Sequence, residues 1–564
     1  MYKINILKQD YSHIELVHRE TKQTILYNGN SRGLFHNDEV DINNDGTLKI
    51  LFTSLPRYLV GELELYSSFI LKSNTNTPLY LFKPLDTHYP KFYVHSNCRS
   101  KYDRNILISI HEIGWNLSNN YPHAKILQVF GSFDDISTME IGLCHHYDLL
   151  DNNQRLKNIP VVKYGYEIAR ITINENIYSI DPDGCRDIDD AFSIKTDKDG
   201  FHLWIHIADV YSNLMRYFDD ASYIVSHIHQ GSSVYLRNQI KHMLSNVWAT
   251  NICSLLQDNI RNILTLYIKL DNSGNIACDF YPSIGKITKN YNYDNSIKLV
   301  KPYFDKITSI FQIFMSKYSD NIYNEPINDT HKFIEALMIM YNLYFGNEII
   351  KDWPYKLLRV QKYNKYIPPP NCDQVLFKFL YIISNNSAYY SIYNDLNKHS
   401  SLNVTNYTHV TSPIRRKVDL INQMMYYNKD IIKYEIMLGI IDDNNSYEKR
   451  VKKMTRDLHK IYLLERVYNS PNYETMCFIY GVNLGKRRID IYFPKEKLSF
   501  KFNIIMRDVY DIYDITHSDN KIIIINKQTT IIERILDMMT LLKVRVNGIP
   551  RINNLDSGLL IDFF

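Results

Sequence analysis

The sequence predicts a multidomain fold in which one mixed α+β domain is flanked by small all-β barrels, two before it and one after. Three observations carry this. Up to about residue 150 the chain is a series of short apolar runs such as "INILKQ", "HIELVH", "LKILFT" and "NILISIHEI", separated by polar turns, as expected of short strands at regular spacing. From about 161 to 465, strand-like runs ("HLWIHIADV", "LTLYIKL") precede long helical ones ("FIEALMIMYNLYFGNEII", "YEKRVKKMTRDLHKIYLLERVYN"); that segregation suits an α+β domain better than alternating parallel α/β units. Beyond Pro471 the chain returns to strands, as in "CFIYGVN" and "RRIDIYFP".

Taken in order, the expected units are a barrel over 1–65, a second over 66–155, the α+β domain over 156–470 and a third barrel over 471–564. The polar segment "DNNQRLKNIP", 151–160, serves as the boundary before the large domain. A length of 564 residues fits several units, since one domain takes roughly 150.

Composition narrows the class. A 45% hydrophobic and 22% charged chain is ordinary for a globular protein. No run approaches the roughly 18 apolar residues of a membrane span, and "MYKINILKQD" lacks a signal-peptide layout. The expectation is a soluble cytoplasmic protein with no membrane partner. The seven cysteines include no C-x-x-C pair, which argues against a disulfide framework or a zinc ribbon. "LCHHYD", ending at Asp148, is the one cluster of soft ligands; with no second ligand pair it reads as a strand end and turn rather than a zinc site. A net charge of +4 is too mild to announce nucleic acid, although basic residues bunch in "SPIRRKVD", "YEKRVKKMTRDLHK" and "LGKRRID".

The chemistry concentrates in "SIDPDGCRDIDDAFSI", 179–194. Asp181, Asp183, Asp187, Asp189 and Asp190 crowd together just before a strand. Two carboxylates about 4 Å apart repel by about 4 kcal/mol at an effective dielectric near 20. Convergence therefore requires raised pKa values or cations, and oxygen-only ligation suits Mg²⁺ or Mn²⁺. Asp181 can join the others if 182–186 form a loop, which Pro182 and Gly184 permit. A solvated turn is the plain alternative. An EF-hand fails, because Gly184 stands fourth in the loop and Phe192 replaces the twelfth-position glutamate.

"IDPDGCRDIDDAFSI" followed by "HLWIHIADV" resembles the signature of the ribonuclease II and ribonuclease R (RNB-domain) family of processive exoribonucleases, departing at Cys185 where alanine is usual. "YTHVTSPIRRKVDLINQ", 407–423, resembles the family's Y-T-H-F-T-S-P-I-R-R-Y-x-D-L segment, with Val410 and Lys417 as departures. In the latter, Ser412 is a fair helix N-cap and Pro413 suits the first helical position, which would put Arg415 and Arg416 in the first turn. "GSSVYLRNQIKHML" resembles G-T-S-V-Y-L-P-x-x-x-x-P-M-L without its prolines. "FIEALMIMYN" is similar to I-E-E-x-M-x-x-A-N, keeping Glu335, Met338 and Asn342 but carrying Ala336. "LLERVYN" resembles a segment ending the last catalytic-domain helix.

The resemblance implies an RNB-type catalytic domain between OB-fold barrels, the N-terminal two cold-shock-like. It implies a Mg²⁺-dependent exoribonuclease, with Mn²⁺ as the alternative ion, that removes nucleoside 5′-monophosphates 3′ to 5′ from single-stranded RNA. Asp181, Asp187, Asp189 and Asp190 would hold the metal, with Asp189 indispensable. Arg415 would stabilise charge on the phosphate. Tyr235 would pack on bases, Arg416 would hold the RNA backbone and Glu465 would lie near the 3′ nucleotide. Asp183 reads as turn chemistry. The chain is expected to act as a monomer, with a larger RNA-degrading assembly as the alternative. A catalytically inactive RNA-binding descendant of the same family is the rival reading.

Overall fold

The structure is a computed structural model that describes residues 1–564 other than 8–10, 12–13, 67–76, 117–118, 150–164, 166, 219–227, 229, 319–325, 354, 363–372, 385–386, 393–397, 429–431, 471, 485–487, 504–512, 519–520, 527–528, 531, 549–558 and 564. The expected linker at 151–160 and Pro471 lie outside the described residues. Two compact units result, one of Met1–Leu149, Pro369–Lys378 and Lys452–Phe564, the other of Leu150–Pro368 and Phe379–Val451.

In the first unit, strands Tyr2–Ile6, Ile14–His18, Thr24–Tyr27, Glu39–Ile42 and Leu48–Phe52 form a five-stranded sheet. Leu59–Glu64 then opens a closed barrel with Leu79–Pro84, Phe92–His95, Ile106–Gly114 and His123–Ser132. The expected limit at 65 therefore cuts off the first strand of this barrel: Leu59 pairs with Ile110 and Gly61 with Pro84, so the strand belongs to the second barrel. Val60 and Leu63 are buried there, and interior packing rather than sequence proximity decides the assignment.

"LCHHYD" corrects a second expectation. It ends a helix, Ile136–His146, not a strand. Asp135 caps that helix by accepting the Thr138 N–H at 2.7 Å, and Leu143 and Cys144 are fully buried. The C-terminal stretch forms a five-stranded sheet and a three-stranded sheet, with a core of Ile479, Ile489, Ile491, Phe493 and Val544 joined by Leu463, Leu464 and Val467.

The second unit is built on a closed barrel of strands Ile171–Asp181, Asp190–Asp197, Gly200–Ala208, Ile260–Leu270 and Ile276–Asn292. Ile171–Asp181 and Ile276–Asn292 run parallel and close it. All nine residues of Gly200–Ala208 are buried. The period of two explains why. Phe201, Leu203, Ile205 and Ile207 enter a core shared with helices Phe304–Tyr318 and Thr330–Tyr344, whereas Trp204 and Ala208 enter a separate one with Tyr211, Trp248 and Leu420. Burial of Phe201, Leu203, Ile205 and Ile207 contributes about 1.5–3 kcal/mol each.

Polar side chains fill part of the interior. His206 lies between Ser193 Oγ at 3.0 Å and Thr265 Oγ1 at 2.8 Å, and Thr265 bonds Ser283. At the end of Gly200–Ala208, Asp209 caps the helix Val210–Met215 and pairs with Arg170 at 2.6 Å. Gln423 accepts from Val210 N and donates to the Ala208 carbonyl at 2.7 Å, which fixes the helix Lys417–Tyr427 against the end of strand Gly200–Ala208.

Among the described residues no helix is long and apolar enough to cross a membrane. Cys98, Cys144, Cys185, Cys253, Cys278 and Cys477 are free thiols; Cys372 lies outside the described residues.

Candidate active site

The aspartate segment folds as its turn residues dictate. Asp181 ends one strand, Asp190 begins the next, and the chain between them loops back. Cys185 N donates to the Pro182 carbonyl at 3.1 Å, and Gly184 adopts φ +73°, which glycine takes without strain. Ile188 N is held by Ser254 Oγ at 3.0 Å, and Ala208 N by the Asp189 carbonyl at 2.8 Å, so both sides of the loop are pinned to the barrel.

Asp181, Asp187, Asp189 and Asp190 line one cavity of about 300 Å³ with Tyr235 and Arg415. Tyr293, Met338 and Ser412 complete its walls. Asp183 is not part of it. Asp189 accepts the Ile414 N–H at 2.8 Å on Oδ1 and Arg415 Nε at 3.0 Å on Oδ2. Thus the two segments singled out in the sequence, more than 200 residues apart, meet directly.

The arginine segment differs from its expected form. The helix begins at Lys417, with Arg416 as an extended N-cap residue, and Ser412–Arg415 makes a separate turn. Asp419 explains the difference. Its fully buried Oδ1 accepts Ser412 N at 2.7 Å and Arg416 Nη2 at 2.7 Å, drawing the turn back onto the helix. A bridge between Ser232 and Arg416 also holds Arg416 extended, with Ser233 N donating to the Arg415 carbonyl and Lys417 N to that of Gly231, both at 2.9 Å. Upstream, Asn342 Oδ1 accepts Val410 N at 3.0 Å, which gives the Asn342 of the helical segment its role. Gly346 lets the Asn406 carbonyl pass so close that a Cβ would sit 1.8 Å from it.

The expected ligands to RNA are placed differently from one another. Tyr235 is 48% exposed at the cavity, but its hydroxyl donates to Asp187 Oδ2 at 2.6 Å. Arg415 keeps 45% of its side chain exposed there. Arg416 faces inward: besides Asp419 it bonds Thr411 Oγ1 and His409 Nδ1, and its side chain is 26% exposed. Glu465 is not among the cavity's residues; it lies in the other unit, on the stretch of helix Tyr434–Asn469 whose Leu463, Leu464 and Val467 join the C-terminal core. That segment's likeness to the end of a catalytic helix did not reveal which core it packs against. Asp419 and His242 were not singled out in the sequence. Asp419 could have been found as the acid three residues after Arg416, the spacing of a helical ion pair; the signal for His242 is its place at the missing proline before M-L.

Four carboxylates in the cavity face the single guanidinium of Arg415 that lines it. Burial pushes Asp189 up to about 8, against the pull of Arg415 and the Ile414 N–H. Burial and then the Asp181 charge raise Asp190 to about 7, and burial with Asp189 and Asp187 nearby raises Asp181 to about 6. Burial works to lower Arg415, yet Asp189, Tyr235 and Asp190 together outweigh it and hold the guanidinium above its usual value. Asp181 Oδ2 is buried without a hydrogen-bond partner among the described residues. Such an oxygen in a four-carboxylate cavity fits a hard divalent cation. Asp181, Asp187, Asp189 and Asp190 are the side chains able to hold it, although among the described residues no three acidic, histidine or cysteine side chains are already gathered as closely as a bound ion draws them.

Comparisons agree with this architecture. The RNB domain family matches residues 171–310 and 347–429, and the Dis3-like cold-shock domain 2 (CSD2) family matches 79–148. Ribonuclease R of Ureaplasma parvum is 28% identical over 36% of this chain and 29% of its own length. The chain spans less than half the length of the curated relatives named ribonuclease R that it matches. Mycoplasma genitalium RNase R, solved with ribose-methylated single-stranded RNA, superposes with a TM-score of 0.74 at 17% identity, covering 100% of both chains. Yeast Ssd1, described as a pseudonuclease, reaches 0.63 at 14% identity, over 97% of this chain and 82% of its own. These two likenesses establish a shared fold.

Proposed function

We propose that this chain, whose residues 171–310 and 347–429 match the RNB domain and 79–148 a cold-shock domain, is a Mg²⁺-dependent exoribonuclease that hydrolyses single-stranded RNA from the 3′ end to nucleoside 5′-monophosphates. One observation carries the reading: Asp181, Asp187, Asp189 and Asp190 share a cavity with Arg415, whose Nε is 3.0 Å from Asp189 Oδ2. Bound by those aspartates, Mg²⁺ or Mn²⁺ would lower the pKa of the attacking water and neutralise the leaving 3′ oxygen.

The chain's own residues do the rest. Ser412 Oγ accepts Arg415 Nη2 at 3.2 Å, so the guanidinium is fixed from both ends, preorganised for the charge that grows on the phosphate in the transition state. Tyr235 leaves its ring face to a base while its hydroxyl orients Asp187. Arg416 supports Arg415 through the turn while 26% of its side chain stays exposed, and the barrels add phosphate and stacking contacts with little sequence readout. The chain works in the cytoplasm as a monomer.

The test is release of mononucleotides from a single-stranded RNA labelled at its 5′ end, with Mg²⁺ or Mn²⁺, by wild type and Asp189→Asn. Stepwise shortening by the wild type, and turnover lower by about 10²–10³-fold with RNA still bound in the variant, is the expected result. The rival, a silent RNA-binding relative, draws support from the likeness to a pseudonuclease and from the occupation of both Asp189 oxygens by protein donors. It predicts RNA binding without mononucleotides under either cation.

A further inference from the structure

Asp187 is approached from three sides. Tyr235 donates to Oδ2 at 2.6 Å, the Cys185 thiol points to Oδ1 at 3.6 Å, and His242 Nδ1 stands 3.7 Å from Oδ2. The His242 side chain is 10% exposed, and Nδ1 has no hydrogen-bond partner among the described residues. A buried polar nitrogen left without a partner is uncommon and costly. A carboxylate oxygen facing that nitrogen selects the tautomer with hydrogen on Nδ1.

The backbone around His242 is fixed. Ile240–Lys241 pairs with Val234–Tyr235, Met243 N donates to Ser233 Oγ at 2.9 Å, and Met243 and Leu244 are buried. Nδ1 thus needs to move by only about 0.7 Å to reach the hydrogen-bond distance of about 3 Å. His242 also stands where the resembled pattern carries the proline before M-L. Proline has no side-chain donor, so this approach to Asp187 comes with a departure from that pattern, as does the one from Cys185.

We infer that His242 is a positioning residue for Asp187: Nδ1 donates to Oδ2 and, together with the Tyr235 hydroxyl, fixes the rotation of a carboxylate that faces the cation. This rests on the nuclease reading above. Partners that orient a ligating carboxylate change metal affinity by about 10–100-fold when removed.

The experiment titrates Mn²⁺ alone into the full chain by calorimetry, with electron paramagnetic resonance of the bound ion as a second readout, and measures mononucleotide release in parallel. His242→Ala, His242→Asn and His242→Gln are compared, each checked for folding by urea unfolding. An asparagine amide nitrogen occupies the place of imidazole Nδ1, and a glutamine amide nitrogen that of Nε2. The expected result is Mn²⁺ affinity about 10–100-fold weaker in His242→Ala and in His242→Gln, and within about threefold of wild type in His242→Asn. Wild-type affinity in His242→Ala, or equal rescue by glutamine and asparagine, overturns the inference while leaving the nuclease reading intact. A wild-type chain that takes up no Mn²⁺ and releases no mononucleotide overturns both.

Discussion

Replacing Asp419 with alanine probes how the arginine turn is held. The side chain is fully buried and Oδ1 receives three N–H groups, from Ser412 N at 2.7 Å and from Arg416 Nη2 and Nε at 2.7 and 3.1 Å. Its loss strands a guanidinium and a buried backbone donor. Removing one partner of a buried pair costs about 3–5 kcal/mol, and an unsatisfied N–H about 1–3 kcal/mol. The two overlap, and Arg416 retains 26% exposure and the Thr411 and His409 contacts. A loss of about 3 kcal/mol is therefore expected, at the lower end of the range. Urea unfolding followed by tryptophan fluorescence measures it, since Trp204, Trp248 and Trp353 all lie in the unit that contains the site. In the cycle with Arg416→Met, the double variant should cost less than the two singles together by at least about 1 kcal/mol, because it removes the stranded charge. A loss under about 1 kcal/mol in Asp419→Ala, or strict additivity, refutes the account.

Three more outcomes are expected from the same geometry. His206 is fully buried between neutral hydroxyls and burial lowers its pKa to about 3. It stays neutral in the fold while the unfolded chain takes up a proton below about 6.5, so its contribution is complete above 6.5 and falls by about 1.4 kcal/mol per pH unit toward 3. Urea midpoints at pH 7 and pH 5 should differ less in His206→Gln than in wild type; an unchanged difference refutes the assignment. Gly346→Ala puts a Cβ against the Asn406 carbonyl and should cost about 1–3 kcal/mol, with faster amide exchange over 405–411; an unaltered thermal midpoint would mean the approach is looser. Arg415→Lys keeps the charge but loses the Nε and Nη2 bonds, so turnover should fall by about 10²-fold with RNA affinity within about threefold of wild type; full turnover would remove Arg415 from the transition state.

Much of the site was legible in the sequence because turn chemistry and charge are local. Pro182 and Gly184 permitted the loop that returns Asp181 to the other carboxylates, and "HLWIHIADV" read as a strand. Long-range contacts were not legible. Leu59–Glu64 looks equally at home in the sheet before it or the barrel after it, and pairing with Leu79–Pro84 and Ile106–Gly114 decides. Ser412 and Pro413 are good helix-start residues by local preference, yet a buried acceptor at Asp419 and a backbone bridge to Ser232 move the start to Lys417. "LCHHYD" lacks helical character on its own, but the cap at Asp135 and burial of Leu143 and Cys144 make it one. Nor did the motifs show that Arg416 pairs with Asp419, or that the neighbours of Glu465, Leu463 and Leu464, join the C-terminal core.

The bridge between 231–233 and 415–417 gives the cavity an unusual mechanical property. Arg415 is bonded main chain to main chain with Ser233, two residues before Tyr235, so a displacement of the Arg415 backbone reaches the strand that carries Tyr235 unless two main-chain bonds, worth about 1 kcal/mol apiece, are given up. The two walls of the cavity that carry Tyr235 and Arg415 are thus coupled through the backbone, and a designer who reshapes one disturbs the other.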